Sequence, residues 1–208
     1  MVSKLRDWLT PITTSTAKVL VALGITANMV TIAGFAINVI TGLCFAYGRL
    51  ILAGILIIFG GSFDMLDGAV ARVRQVNDSS GALLDSIVDR YSEGAIFLGL
   101  AVYFHQYDKL YGTLGILFTF SSMVGSFLVS YARARAEGLA VECKVGLMQR
   151  TERLVFLSAG TIIQGILANT VPNGLILIIV LAILMIATNI TAIHRLLHSF
   201  HRLRNLSH

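Results

Sequence analysis

The chain has 208 residues, of which 56% are hydrophobic and 13% are charged, and its mean hydropathy is +0.80. Soluble globular domains typically carry about 25% charged residues, so this composition excludes an ordinary water-soluble enzyme. A membrane span needs roughly 20 apolar residues, and a chain of this length therefore has room for about six or seven spans and little else. Cys44 lies inside an apolar run and Cys143 in a polar connection, so the sequence indicates neither a disulfide framework nor a C-x-x-C metal site. We predict one all-α integral membrane domain over residues 1–208.

The elements follow in chain order from the spacing of apolar residues. Residues 1–21 carry Lys4 and Arg6 with apolar residues at helical spacing around Trp8, which predicts an amphipathic helix at the membrane interface. Six apolar segments follow within residues 25–200, and the predicted fold is a six-helix transmembrane bundle preceded by that interfacial helix. The predicted spans cover residues 25–47, 50–73, 81–104, 110–136, 153–167 and 175–194.

The basic residues predict the orientation of this bundle. With the N-terminus in the cytoplasm, six spans place fourteen Lys and Arg residues on the cytoplasmic side and only Arg49 and Lys109 on the other. Such an asymmetry is typical of multi-pass proteins, so we predict a location in the cell (cytoplasmic) membrane with both termini in the cytoplasm. The same asymmetry accounts for the net charge of +5, and we therefore predict no nucleic-acid partner.

Four carboxylates stand at the cytoplasmic ends of two adjoining predicted spans. Asp64 and Asp67 are three residues apart, and Asp85 and Asp89 are four apart, so each pair projects from one helical face. A carboxylate within a span costs on the order of 2.5 to 3.5 kcal/mol, and four of them need a compensating partner. Oxygen ligands without Cys or His suit Mg²⁺, Mn²⁺ or Ca²⁺ rather than zinc. The alternative is that they pair with neighbouring arginines or are solvated at the interface.

The segment Asp64-x-x-Asp67-Gly68-x-x-Ala71-Arg72, eight residues, then Gly81-x-x-x-Asp85-x-x-x-Asp89 resembles the signature of the CDP-alcohol phosphotransferase family. Every fixed position and the eight-residue gap are present, giving eight specified positions in 26 residues. The length, the six-helix pattern and the interfacial helix also agree with that family. The resemblance implies a metal-dependent enzyme that transfers a phosphatidyl-type group from a CDP-linked lipid to an alcohol and releases CMP at the cytoplasmic face.

The resemblance also implies roles for particular residues. It implies two divalent cations, Mg²⁺ or Mn²⁺, held by Asp64, Asp67, Asp85 and Asp89, with Asp89 as the general base, although spacing alone does not rank Asp85 and Asp89. Asn28 and Thr31 match a nucleotide-contacting element of the family that here lacks its proline. The alternative is that Asn28 caps the helix and Thr31 packs. The implied CDP-binding residues are Asn28, Thr31, Asp64, Asp67, Gly68, Ala71, Arg72, Gly81 and Asp85.

Several arginines near the predicted metal end suit a phosphorylated acceptor, which Arg grips with two hydrogen bonds. The alternative is that they are positive-inside anchors. The stretch from residue 130 to 153 resembles the branch of the family that uses inositol phosphate, with an S-Y-x-[KR]-A-R-A-E segment and an E-R-x-E-R-like segment about twenty residues later, from which Gln149 and Thr151 depart. The implied acceptor phosphate-binding residues are Ser130, Arg133, Arg153 and Arg195.

The resemblance implies an enzyme of phospholipid biosynthesis that takes CDP-diacylglycerol or CDP-archaeol as donor and inositol phosphate as acceptor. One alternative is a phosphatidylglycerophosphate synthase that uses glycerol 3-phosphate. An alternative of another class is a divalent-cation transporter, which would need a polar path through outer halves that are nearly uncharged. The resemblance also implies a homodimer.

Overall fold

The computed structural model describes residues 2–75, 79–107, 110–143, 145–146 and 148–206, with side chains described from Thr10 to Asn205 within those ranges. The described chain is helical throughout its regular elements, which confirms the predicted all-α class. Its seven helices are α1 (Val2–Ala22), α2 (Ala27–Ala46), α3 (Leu50–Arg74), α4 (Ser79–Tyr107), α5 (Gly112–Glu137), α6 (Arg150–Ile166) and α7 (Leu175–Leu206).

Helices α2 to α7 pack as a closed ring in the spatial order α2, α3, α6, α7, α5, α4, and α1 packs outside that ring against α3. The interior of the ring is apolar, because large side chains from several helices meet there, among them Phe45, Ile57, Leu100, Phe104 and Leu181. Large apolar side chains also cover the outside, as at Ile55, Leu98, Phe120 and Ile186. An apolar exterior around a closed helical bundle is what a lipid bilayer requires.

Four of the described helices contain segments long and apolar enough to cross a membrane, which is the composition of a multi-pass membrane protein. Those segments are Ala27–Ala46, Leu50–Arg74, Gly112–Glu137 and Leu175–Asn205. Two of the six predicted spans, which correspond to α4 and α6, are not long and apolar enough by the same criterion. Helix α4 carries charges in its first half, and α6 has only 17 residues.

Three predicted boundaries differ from the helix ends by three residues or more. The third apolar segment is predicted to end at residue 104, but α4 continues to Tyr107. The last apolar segment was expected to end at residue 194, but α7 continues to Leu206 because the following residues are mostly good helix formers. The fifth was expected to begin at Arg153, but α6 begins at Arg150. Its first turn is closed by a capping box, in which the Gln149 N–H donates to the Glu152 carboxylate at 3.0 Å.

Helices α2 and α4 approach backbone to backbone at Gly42 and Gly99. A Cβ on Gly99 would overlap the Gly42 backbone, and a Cβ on Gly42 would overlap the Ala95 carbonyl, so neither neighbour can move aside as a flexible side chain would.

We expect Gly99→Ala to destabilise the protein by about 1–3 kcal/mol or more, since overpacking forces the two backbones apart. Thermal unfolding in detergent measures the effect. Gly61→Ala is the matched control, because a Cβ there has no neighbour within 4 Å. Equal unfolding temperatures for the two variants would contradict the close approach.

Candidate active site

A cavity of about 750 Å³ opens where the start of α2, the end of α3 and the start of α4 meet. Seven of the nine predicted CDP-binding residues line it, and Asp64 and Arg72 do not. The convergence of these helix ends explains why residues from three separate segments share one surface. The lining residues are Thr26, Ala27, Asn28, Thr31, Asp67, Gly68, Ala71, Arg74, Ser79, Gly81, Ala82 and Asp85.

The first turn of α2 places two of these residues. Thr26 is the N-cap, since its hydroxyl oxygen accepts the Met29 N–H at 3.3 Å, so the alternative that Asn28 caps the helix is wrong. Asn28 therefore lies within the first turn and lines the cavity. One turn later, the Thr31 hydroxyl donates to Asp67 Oδ2 at 3.0 Å, which joins α2 to the aspartate motif on α3.

The end of α3 supplies an arginine that was not predicted. Arg74 lines the cavity, and no described residue accepts a hydrogen bond from its buried Nε. Arg72, the arginine of the motif, is exposed, with its guanidinium beside Gly68. A signal for Arg74 was present, because Asp67, Ala71 and Arg74 follow the i, i+4, i+7 spacing of one helical face. A buried guanidinium N–H without an acceptor favours an anionic ligand at this point.

The four predicted metal ligands form two pairs, of which one lines the cavity and the other contacts Arg150. Asp67 and Asp85 line the cavity. Asp64 and Asp89 instead contact one guanidinium, for Arg150 Nη1 donates to Asp64 Oδ2 and lies 2.8 Å from Asp89 Oδ1. Asp67 and Asp89 are each within electrostatic range of Asp64 and Asp85. The four carboxylates therefore form one acidic cluster that already attracts a cationic group.

The chemistry of this donor set fits a divalent cation. Carboxylate oxygens gathered from two helices, with more negative charge than Arg150 neutralises, are the ligands that Mg²⁺ and Mn²⁺ prefer. In the structure, however, the described residues include no group of three or more His, Cys, Asp or Glu side chains close enough together to hold a metal ion. The metal role of the four aspartates therefore stays a prediction.

Arg153 of α6 is the most completely paired of the predicted acceptor residues. Its side chain is 3% exposed, and its Nη2 and Nε donate to Glu93 Oε1 at 3.0 and 3.1 Å. Its Nη1 donates to the Met148 carbonyl at 3.2 Å. Glu93 of α4 was not predicted, although it continues the i, i+4 spacing of Asp85 and Asp89 along that helix.

Arg195 of α7 has a different environment. It is 5% exposed, and its Nε and Nη1 donate to the carbonyls of Val145 and Val129 at 2.8 and 2.7 Å. The two carbonyls accept hydrogen bonds but do not neutralise the charge of Arg195, and no carboxylate of the described residues forms an ion pair with it. The charges of Arg133 and Arg153 both act on it, so the three predicted acceptor arginines are grouped.

The remaining predicted acceptor residues lie near the end of α5. Arg133 is half exposed and pairs with Glu137 one turn later at 2.8 Å. Ser130 is half-buried on the preceding turn. The structure therefore brings the acceptor arginines to the same end of the bundle as the aspartates, through the Arg150 and Arg153 contacts between α6 and α4.

The fold and this arrangement define a class of protein. A family model of CDP-alcohol phosphatidyltransferases matches residues 24–193, and the chain belongs to that family. It is therefore a membrane enzyme of phospholipid biosynthesis, and the cation-transporter alternative finds no support.

Within this family, the chain is similar to synthases of inositol phosphate lipids. The chain is 34% identical to the archaetidylinositol phosphate synthase of Pyrococcus horikoshii, over 88% of this chain and 90% of that one. It is 37% identical to the phosphatidylinositol phosphate synthase of Mycobacteroides abscessus, over 77% and 72%.

Two crystal structures of Mycobacterium tuberculosis phosphatidylinositol phosphate synthase match the fold at 34% identity. The structure with bound CDP-DAG has a TM-score of 0.81 and covers 91% of this chain and 93% of that one. The complex with manganese and citrate has a TM-score of 0.79, with coverage of 90% and 88%.

Proposed function

We propose that this enzyme transfers a phosphatidyl-type group from CDP-diacylglycerol or CDP-archaeol to inositol phosphate, releasing CMP. The observation that carries a phosphorylated acceptor is Arg195, a buried cation with two carbonyl partners and no ion pair to a carboxylate of the described residues. A buried charge without a counter-ion is costly, and an anionic ligand relieves that cost. The similarity to a phosphatidylinositol phosphate synthase and an archaetidylinositol phosphate synthase supports inositol phosphate as that acceptor.

The cavity between α2, α3 and α4 is the proposed donor site. Asn28 and Thr31 approach the nucleotide from α2, and Gly68, Ala71 and Gly81 leave room for it because they have little or no side chain. Arg74 adds a cation where the donor's phosphates would lie. Arg72 and Asp64 remain proposed donor-site residues that act from outside the cavity lining.

The transfer step needs a base on the acceptor side of this cavity. Asp89 takes the proton of an acceptor hydroxyl, the hydroxyl oxygen forms a bond to the phosphatidyl phosphorus, and the bond from that phosphorus to CMP breaks. Two divalent cations held by Asp64, Asp67, Asp85 and Asp89 would neutralise charge on the pyrophosphate. Ser130, Arg133, Arg153 and Arg195 orient the acceptor through its phosphate.

The same proposal places the enzyme in the membrane. Residues 1–208 form one domain with six spans within residues 25–200, an interfacial helix at 1–21, and both termini and the active site in the cytoplasm. The convergence of the charged ends of α3, α4 and α6 supports a single polar face. Labelling of single cysteines at residues 10 and 205 in sealed inverted vesicles tests the orientation. A homodimer stays a prediction, testable by cross-linking in the membrane.

The acceptor is tested by CMP release from purified protein given CDP-diacylglycerol and a panel of alcohols. Inositol phosphate is expected to give the highest kcat/KM. A preference for glycerol 3-phosphate would support the phosphatidylglycerophosphate synthase alternative instead, and a preference for free inositol would contradict a phosphate-binding pocket.

Arg195→Gln is expected to raise the KM for inositol phosphate about 10- to 150-fold at unchanged donor affinity. This range corresponds to the loss of a charge-assisted hydrogen bond worth about 1.5–3 kcal/mol. Arg202→Gln is the control, since it removes an exposed arginine from the same helix. Equal KM values in the two variants would contradict the role of Arg195.

Asp89→Asn is expected to lower kcat by about 100-fold or more while CDP-lipid affinity changes much less, because a general base acts only after the donor is bound. Single-turnover CMP release and equilibrium binding of CDP-lipid separate the two effects. A parallel collapse of affinity would reassign Asp89 as an indispensable metal ligand.

A further inference from the structure

Arg150 joins the end of α6 to two of the four predicted metal ligands. It is the first residue of that helix, and the capping box around it fixes where the helix begins. One of its nitrogens, Nη1, donates to Asp64 on α3 and lies 2.8 Å from Asp89 on α4. A single guanidinium nitrogen thus bridges carboxylates from two other helices.

This bridge lies within a cluster of carboxylates. The charges of Asp85 and Glu93 also act on Arg150, and its side chain is only 20% exposed. A cation held between carboxylates in a shielded place interacts more strongly than one at an open surface. Arg150 therefore supplies positive charge at the point where the metal ligands converge.

A divalent cation bound by Asp64 and Asp89 would meet this guanidinium directly. The metal would bind the same carboxylate oxygens that contact Arg150. The metal ion and the guanidinium, both positively charged, would also repel each other. Both effects mean that Arg150 weakens metal binding at Asp64 and Asp89, and that bound metal weakens the contacts of Arg150 to the same extent.

We propose that Arg150 is an internal counter-cation that competes with the divalent metal for Asp64 and Asp89. The proposal rests on the proposed metal role of these aspartates. Without added metal, Arg150 links α6 to α3 and α4 and offsets carboxylate repulsion. When the metal binds, the guanidinium leaves at least one of the two carboxylates, so Arg150 weakens metal binding while it stabilises the metal-free protein.

Arg150→Gln tests the competition in purified protein by titration with Mn²⁺, with the free ion followed by electron paramagnetic resonance. We expect the dissociation constant for Mn²⁺ to fall about tenfold, in line with the loss of a competing charge-assisted contact. The unfolding temperature without divalent ions is expected to fall, and the rise on adding Mn²⁺ is expected to exceed that of the unmodified protein.

Arg135→Gln is the matched control, because it removes an exposed arginine from the end of α5 and should leave Mn²⁺ affinity unchanged. If Arg150→Gln binds Mn²⁺ with unchanged or weaker affinity, the proposed competition is wrong, although the aspartates can still be metal ligands. Absence of Mn²⁺ binding in the unmodified protein would overturn both. If Arg150→Gln folds poorly, Arg150→Met serves instead, since it also removes the positive charge and keeps a long, flexible side chain, and an unchanged affinity there would also count against the proposal.

Discussion

Asp67→Asn is expected to lower CMP release by at least about 100-fold, the loss typical of removing one electrostatic contact to a reacting group. Asp67 is 7% exposed and accepts the Thr31 hydroxyl at 3.0 Å, a bond that the asparagine oxygen can also accept. The substitution therefore removes one negative charge from the cluster with little change in volume or packing. Metal-dependent nucleotide binding should weaken together with turnover.

Thr31→Val is the matched control for this variant. It removes the hydrogen bond to Asp67 and keeps the carboxylate, so we expect a much smaller loss of CMP release. The assays are run at ordinary Mg²⁺ or Mn²⁺ concentrations. Near-normal turnover of Asp67→Asn would contradict the ligand role of the charge.

Much of the helical structure could be predicted from the sequence, because each apolar segment is bounded by polar or glycine-containing turns. The order of helices around the ring could not. Helix α6 packs between α3 and α7, and α5 packs against α7 and α4, although α5 and α6 are consecutive in the chain. That order depends on contacts between distant segments, such as the Ser158 hydroxyl donating to the Gly54 carbonyl at 2.7 Å.

The candidate site was predictable to the extent that its residues form local motifs. The spacing of the aspartates from Asp64 to Asp89 predicts an acidic cluster, since residues three and four apart share a helical face. The partners of each charge were not predictable. Arg150 and Asp64 are 86 residues apart, and Arg153 and Glu93 are 60 apart, so no local spacing relates them.

The acceptor role of Arg153 has to be weighed against its ion pair with Glu93. Both side chains are nearly fully buried, at 3% and 4% exposure, and the pair joins α6 to α4. Removing one partner of a buried pair leaves an uncompensated charge, which costs about 3–5 kcal/mol. Arg153→Gln is therefore expected to lower the unfolding temperature sharply, apart from any effect on the acceptor.

Combining Arg153→Gln with Glu93→Gln separates these two roles. The double variant has no buried charge at this position, and we expect it to recover more than half of the stability that Arg153→Gln loses, because two amides can still form a hydrogen bond. If Arg153 also binds the acceptor, the recovered protein keeps a KM for inositol phosphate raised about 10- to 150-fold at unchanged CDP-lipid affinity. A double variant with normal stability and normal acceptor KM would restrict Arg153 to holding α6 against α4, and Arg195 would then be the buried arginine left to bind the acceptor phosphate.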